Sequence, residues 1–284
     1  MAFLYSKRLF CALEESAGKM AWPPLSKLLP PYEKRKPSEI KIGIGISGGV
    51  DSAFSAYILK KIYNFDCVGI HFRNWNRLYS HSDRSKSKAI GIGAKQNDYY
   101  QCDERELEDF TKICEYLEMP YKIREYYDEY WTQVFCPFIE QLKTGTQTPN
   151  PDIQCGKILQ FGIIQQDILQ QLKLDYFATG HYADIGWSPH VFEQNKHHSP
   201  IQQWTPQLMV PTDVSQDQTY FLSQIHYSSL YYHIFPLSTL RKAHIRLFMK
   251  HHCANGHTLQ SLRKPENMFQ FLWNKRSSKG VFLL

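Results

Sequence analysis

Apolar residues in this chain follow two rhythms. Lys41-Ile-Gly-Ile-Gly-Ile-Ser47 and Cys67-Val-Gly-Ile-His-Phe72 are short, nearly unbroken apolar runs, as expected of strands covered on both faces of a parallel sheet. Between them Phe54, Tyr57, Ile58 and Ile62 recur at helical spacing. The same alternation continues: Glu104 to Glu118 places Leu107, Phe110, Cys114 and Leu117 on one helical face, and Tyr121 to Tyr126 reads as a third strand. Helices follow over about 129–142 and 157–172, and then a short strand from Asp175 to Thr179 that ends in Gly180-His181. Strands alternating with helices of this length predict an α/β fold with a doubly wound parallel sheet, whose ligand sits at the carboxyl ends of the strands.

The pattern breaks in three places. Residues 76–101 are polar and irregular and read as a mobile loop; 184–209 reads as the least ordered stretch; residues 1–40 read as a basic, proline-rich extension outside the fold. That extension suits an organelle-targeting segment, although Glu14 and Glu15 are unusual in one. Helical spacing resumes from Ser215 with Tyr220-Phe-Leu, and Lys242 to His252 forms a basic helix. The expected division is therefore 1–40, 41–214 and 215–284.

Composition narrows the classes. Hydrophobic residues at 43% and aromatics at 14% exclude general disorder. No apolar run reaches the roughly 18 residues that a membrane span needs, so no membrane association is expected. A net charge of +6 leans toward a polyanionic partner. The seven cysteines form no Cys-x-x-Cys pair, which argues against a zinc ribbon and suits a reducing compartment. His190, His197 and His198 lack ligand partners at suitable spacing, so no metal centre is expected there.

Two segments carry chemistry. In Gly45-Ile-Ser-Gly-Gly-Val-Asp-Ser52 a strand enters a Ser-Gly-Gly turn and a helix starts at once. Backbone N–H groups and a positive helix end then face the place where a nucleotide phosphate can sit. Gly48 and Gly49 allow a close approach, and Asp51 and Ser52 fall in the first helical turn. The spacing is not that of a Walker loop; a tight turn with no ligand is the bland alternative. The second segment, Thr148-Pro-Asn-Pro-Asp-Ile-Gln-Cys155, is stiffened by two prolines and ends on a cysteine at a helix start. A thiol there, with Lys157 one turn on, is expected to have a lowered pKa and to be reactive. A merely buried cysteine is the alternative.

Taken together, the chain resembles the tRNA-specific 2-thiouridylases of the PP-loop ATP pyrophosphatase superfamily. The shared residues are Ser47-Gly-Gly-Val-Asp-Ser52, Asn74-Trp75, Glu129-Tyr-Trp131, Pro149-Asn-Pro-Asp152 with Cys155, Ala178-Thr-Gly-His-Tyr-Ala183, Asp217-Gln218 with Phe221-Leu222, and Pro236-Leu237, in order over about 41–240. The resemblance implies activation of a tRNA wobble uridine at O2 by ATP, with pyrophosphate leaving and Mg2+ offsetting its charge. Sulfur from a persulfide-carrying donor protein then gives 2-thiouridine. By the same likeness Gly45, Ile46, Ser47, Gly48, Gly49, Val50, Asp51 and Ser52 hold ATP, with Phe72 and Gly180 near the adenine. Asp51 and Cys155 are the catalytic residues. Asn150, Pro151, Asp152, Gln216, Asp217 and Gln218 meet the tRNA and its target base. A mitochondrial location is expected, with cytoplasmic as the alternative.

The chain departs from the family pattern at several positions. A second cysteine, in a Gly-x-Cys-Phe segment, is expected between Lys264-Pro-Glu-Asn-Met268 and Lys275-Arg276, where Phe271 stands instead. Gln160 and Gln216 replace usual lysines, and Gly156 replaces a common asparagine. Relatives continue into a β-rich domain beyond the position of Leu284, so 215–284 is expected to be the shortened start of a tRNA-binding region. Three functions stay open: a thiouridylase, an adenylation-only or non-catalytic member, and another PP-loop amide ligase.

Overall fold

A computed structural model describes residues 21–74, 96–145, 149–189 and 201–254. Its strands are β1 (Lys41–Gly45), β2 (Asp66–Arg73), β3 (Tyr121–Glu125), β4 (Tyr176–Ala178), β5 (Asp184–Pro189), β6 (Trp204–Met209) and β7 (His233–Ile234). Five of them form one parallel sheet in the order β3-β2-β1-β4-β7. β1 is central, with Gly45 opposite Ile70 of β2 and Ile44 opposite Ala178 of β4. The chain builds outward from β1 through β2 to β3, then returns to place β4 and β7 on the other side. The reversal opens a crevice between the carboxyl ends of β1 and β4.

Successive strand residues face opposite sides, and each side has its own helices. Cys67, Tyr176 and Ala178 join Ile42 and Ile44 in a core with Phe54, Ile58, Phe110 and Phe248. Val68, Ile70 and Phe177 point the other way, against Tyr130, Leu159, Ile164 and Ile168. Burial of each such side chain stabilises the fold by about 1.5–3 kcal/mol before the entropy of ordering is set against it. The doubly wound α/β architecture read from the apolar pattern is the architecture found.

Local differences from the sequence reading have physical reasons. The helix expected from Glu104 begins at Gln96 and runs to Leu117, so 96–101 is helical and not loop; 75–95 lies outside the described residues. Asp184–Met209 is not irregular at its ends, because β5 and β6 pair antiparallel from Asp184↔Met209 to Pro189↔Trp204. Cross-strand packing of Ile185, Trp187 and Leu208 onto Phe161 and Phe235 stabilises these strands, which local propensity does not reveal. His190, His197 and His198 lie outside the described residues. Residues 21–40 are no loose appendage: Leu28 and Leu29 are buried, and Trp22 packs on Phe54, Tyr57 and Phe248. Residues 1–20 are not described. Residues 233–248 share the same sheet and core as 41–178, through β7, Ile245 and Phe248.

The helix expected from 157 starts at Pro151 and continues to Gln171, with a π-helical stretch over Cys155–Ile164. Asn150 caps it: its side-chain oxygen accepts from the Asp152 and Ile153 N–H groups at 3.0 and 3.4 Å. Pro151 suits the first helical position, where no N–H partner is needed.

Candidate functional site

The loop after β1 is fixed before any ligand arrives. His71 Nδ1 lies 3.0 Å from the Ile46 carbonyl oxygen, and Ile46 donates its N–H to Ile70 at 2.9 Å. Gly48 adopts φ +80°, open to glycine and costly for other residues. Ser52 Oγ donates to the Gly49 carbonyl at 3.1 Å and accepts from the Ser47 N–H at 3.3 Å, drawing the turn closed. The helix Val50–Tyr57 follows, and its N-cap Gly49 offers no side-chain acceptor to the first-turn N–H groups. That arrangement fits an anionic phosphate held by the helix start. Val50 packs into the core, and Gly48 shapes the turn.

Distant segments close on this loop. A Cβ on Gly180 would stand 2.7 Å from Ser52 N, so glycine is what allows β4 to end against the helix start. One on Gly45 would meet Phe72 and Phe177 at 3.2 Å. The resulting cavity of about 170 Å³ is lined by Gly45, Ile46, Ser47, Gly49, Asp51 and Ser52 from the loop, with Phe72 and Gly180 beside them. Cys155 and Gln218 reach the same cavity from two other parts of the chain. Six loop residues, Phe72, Gly180, Cys155 and Gln218 thus line one cavity.

Other expected contacts are spent elsewhere. Asn150, Pro151 and Asp152 stand half-buried at the head of the cysteine helix and do not line the cavity. Asp217 caps the Thr219–Leu222 turn by accepting from Thr219 N and Oγ1 at 2.9 and 2.8 Å. Gln216 folds its amide onto the Ser215 carbonyl at 3.1 Å. Gln218 clamps Tyr182: its side chain accepts from Tyr182 N at 2.8 Å, and its own N–H donates to Tyr182 O at 3.1 Å.

Cys155 overturns the expectation of an activated thiol. It is 2% exposed, and burial, aided by the nearby Asp152 carboxylate, pushes its pKa up to about 12. The reason is position. The helix begins four residues earlier, so the thiol lies past the first turn, where the helix dipole has faded. It belongs to the same buried cluster as apolar Val134, Leu159 and Ile164, while Lys157 is exposed. At neutral pH the thiol keeps its proton.

Several polar groups to which the sequence assigns no role meet here. Lys242 Nζ lies 2.8 Å from Asp51 Oδ2, while Tyr182 OH lies 3.2 Å from Oδ1. The lysine is anchored by its backbone N–H, which donates to Asp213 Oδ2 at 2.8 Å. Thr179 Oγ1 sits between His181 Nδ1 at 2.8 Å and His233 Nε2 at 2.9 Å. Burial holds His181 down to about 4, so it faces the cavity as a neutral ring. Basic helix 242–252 was visible in the sequence; its meeting with Asp51, 191 residues away, was not.

No group of three or more His, Cys, Asp or Glu that could cage a metal occurs among the described residues. Asp51 is a single carboxylate, which suits Mg2+ held mainly by phosphate oxygens and water. No described helix is long and apolar enough to cross a membrane.

Comparison with known proteins gives the following similarities. A family profile described as "tRNA methyl transferase HUP domain" matches residues 40–268. A "tRNA-specific 2-thiouridylase MnmA" of Malacoplasma penetrans is 35% identical over 246 residues, covering 85% of this chain and 55% of that protein. A "Probable mitochondrial tRNA-specific 2-thiouridylase 1" of Caenorhabditis elegans is 32% identical over 247 residues, covering 86% and 57%. The chain spans about half the length of the curated relatives it matches. Among solved structures, the U34-tRNA thiolase NcsA of Methanococcus maripaludis aligns with a TM-score of 0.43 and 17% identity, over 93% of this chain and 72% of that one.

Proposed function

The chain belongs to the tRNA methyl transferase HUP-domain family, and from that membership we propose that it is an ATP-dependent tRNA-uridine 2-sulfurtransferase. One observation carries the reading: the phosphate-type loop, Gly180 and Cys155 line a single cavity at the sheet's reversal point. The family label names methyl transfer, but a glycine loop at a helix start serves a phosphate, and the relatives at 32–36% identity are thiouridylases. An amide ligase would leave Cys155 without a role.

In this reading the uridine O2 attacks the α-phosphorus of ATP, and pyrophosphate leaves. The first-turn N–H groups of 50–52 hold the polyphosphate. Lys242 exchanges Asp51 for phosphate oxygens; the released Asp51 carboxylate would hold Mg2+, which would supply compensating charge for a departing pyrophosphate. Phe72 offers an aromatic edge toward the adenine. Cys155, once it gives up the proton that burial makes it retain, takes the outer sulfur of the donor's persulfide and frees the donor thiol. The terminal sulfur of the Cys155 persulfide attacks C2 as AMP leaves. The donor thiol then cleaves the S–S bond, which releases 2-thiouridine and leaves a donor–Cys155 disulfide. The sulfur comes from a persulfide-carrying protein, and tRNA is the second partner. Residues 41–214 are proposed as the ATP-binding unit, joined by β7 and the Lys242 helix from the following segment, and the rest of 215–284 as the start of the tRNA-binding region. The C. elegans relative supports a mitochondrial setting.

A second reading, adenylation without sulfur transfer, has its own support. After Cys155 the chain holds only Cys253, and Phe271 stands where the second thiol is expected. Incubating unmodified tRNA with the chain, ATP, Mg2+ and a persulfide donor, followed by nucleoside mass spectrometry, separates the two. 2-Thiouridine supports the first, tRNA-dependent AMP alone supports the second, and neither product refutes both.

A further inference from the structure

The π-helical stretch Cys155–Ile164 turns a second polar side chain into the cavity. Bonding from i to i+5 stacks residues five apart on one face, so Gln160 stands one turn beyond Cys155. Gln160 is 8% exposed, and its carboxamide oxygen has no hydrogen-bond partner. Its neighbours Leu159 and Phe161 are apolar core at 0% and 1%. A core position would shed an orphaned acceptor, because an apolar side chain of the same shape avoids its desolvation cost. The Gln165 oxygen is also unpartnered but lies outside this cavity, so it is Gln160 that offers an open acceptor to whatever enters here.

The rest of the lining says what that is. No lysine or arginine is among the cavity's lining residues, and a second carboxamide oxygen, that of Asn74, is also orphaned there. The loop's backbone N–H groups suit the phosphates, whereas these carbonyl acceptors suit the N–H of a neutral planar ring. Asn74 lies two residues beyond Phe72, on the β2 side, whereas Gln160 shares a helix face with Cys155. We propose that Gln160 recognises the target pyrimidine: its carboxamide oxygen accepts the N3–H of uracil and turns C2 toward Cys155. This rests on the sulfurtransferase reading above. Cytosine has no N3–H and would set a lone pair against the same oxygen.

Gln160→Met keeps the length of the side chain and removes the acceptor. The expected result is an unchanged or higher thermal midpoint and unchanged ATP affinity. Pyrophosphate release driven by tRNA should fall about tenfold, the worth of one hydrogen bond at the upper end of the neutral range. A second arm uses tRNA with N3-methyluridine at the target, on which wild type loses activity and Gln160→Met loses clearly less than wild type does. Pyrophosphate release within twofold of wild type overturns the proposal. So does weakened ATP binding, which would assign the carboxamide to the adenine. A midpoint lowered together with activity also overturns it, by marking a structural role. Wild-type chain with unmodified tRNA separates the two levels: no AMP from it sinks the sulfurtransferase reading itself, while an active wild type with an indifferent variant sinks Gln160 alone.

Discussion

Replacing Gly180 with alanine tests whether β4 must touch the phosphate loop. The added methyl would stand 2.7 Å from Ser52 N, 2.8 Å from Ser52 Cα and 2.9 Å from the Asp51 carbonyl carbon. All three are backbone atoms, so no rotamer change relieves the clash. Ordinary contact begins near 3.4 Å, so the end of β4 and the helix start must part by about 0.7 Å, the difference from 2.7 Å. Overpacking of this kind costs about 1–3 kcal/mol. At roughly 2–4 °C per kcal/mol for a domain of this size, the thermal midpoint should drop by about 4–8 °C for a mid-range cost. The part that moves carries the first-turn N–H groups, and a displacement near 1 Å costs on the order of a hundredfold in a positioned site. ATP affinity measured by calorimetry should therefore fall at least tenfold. Gly156→Ala is the control: its methyl would meet only the Phe221 carbonyl oxygen at 3.7 Å, and alanine favours a helix by about 0.5–1 kcal/mol. A Gly180→Ala chain with wild-type midpoint and ATP affinity would refute the close approach and the phosphate site built on it.

Lys242→Met should weaken ATP binding about 10- to 100-fold, the worth of one charged hydrogen bond, with Lys242→Arg retaining part of it; unchanged affinity in titration would remove Lys242 from the phosphate site. With a pKa near 12, about one Cys155 thiol in 10,000 is ionised at pH 8, so iodoacetamide mapped by peptide mass should label exposed Cys136 first; equal rates would refute the burial argument. Cys67, Cys114 and Cys155 are all pushed up to about 12 from an ordinary 9, so the unfolded chain ionises first and stability should fall as pH rises from about 9 toward 12; a flat urea midpoint over that window would contradict this. Asn150→Ala removes the cap of the cysteine helix and should cost about 1 kcal/mol, read from urea unfolding, with a larger loss in thiolation than in ATP binding.

Much of the fold was legible because its signals are local. The apolar runs at 41–47 and 67–72, and the stripe through Phe54, Ile58 and Ile62, reflect two-sided burial and a one-sided helix, which leave a period in the sequence. β7 left none, since two residues, His233 and Ile234, are too few for a period and gain their strand from pairing with Phe177 and Ala178. β5 and β6 were hidden for a related reason: each is stabilised by the other and by Phe161 and Phe235, not by its own composition.

The site divides along the same line. Its loop could be read because strand, glycines and helix start are contiguous, and contiguity is what phosphate binding by backbone requires. Cys155 lines the cavity but keeps its proton against the expectation, because proximity to a helix start is local while desolvation depends on Val134 and Tyr130, twenty or more residues away. Asn150 illustrates the converse: its polar side chain suggested a base contact, yet its oxygen is taken by the Asp152 and Ile153 N–H groups, which any helix start must satisfy. Long-range partners such as Lys242 with Asp51 cannot be inferred from spacing at all. A polar residue in such a chain is therefore best judged by whether its hydrogen bonds are already spent: Asn150, Gln216 and Asp217 have spent theirs on the backbone, whereas Gln160 and Asn74 hold theirs open inside the cavity.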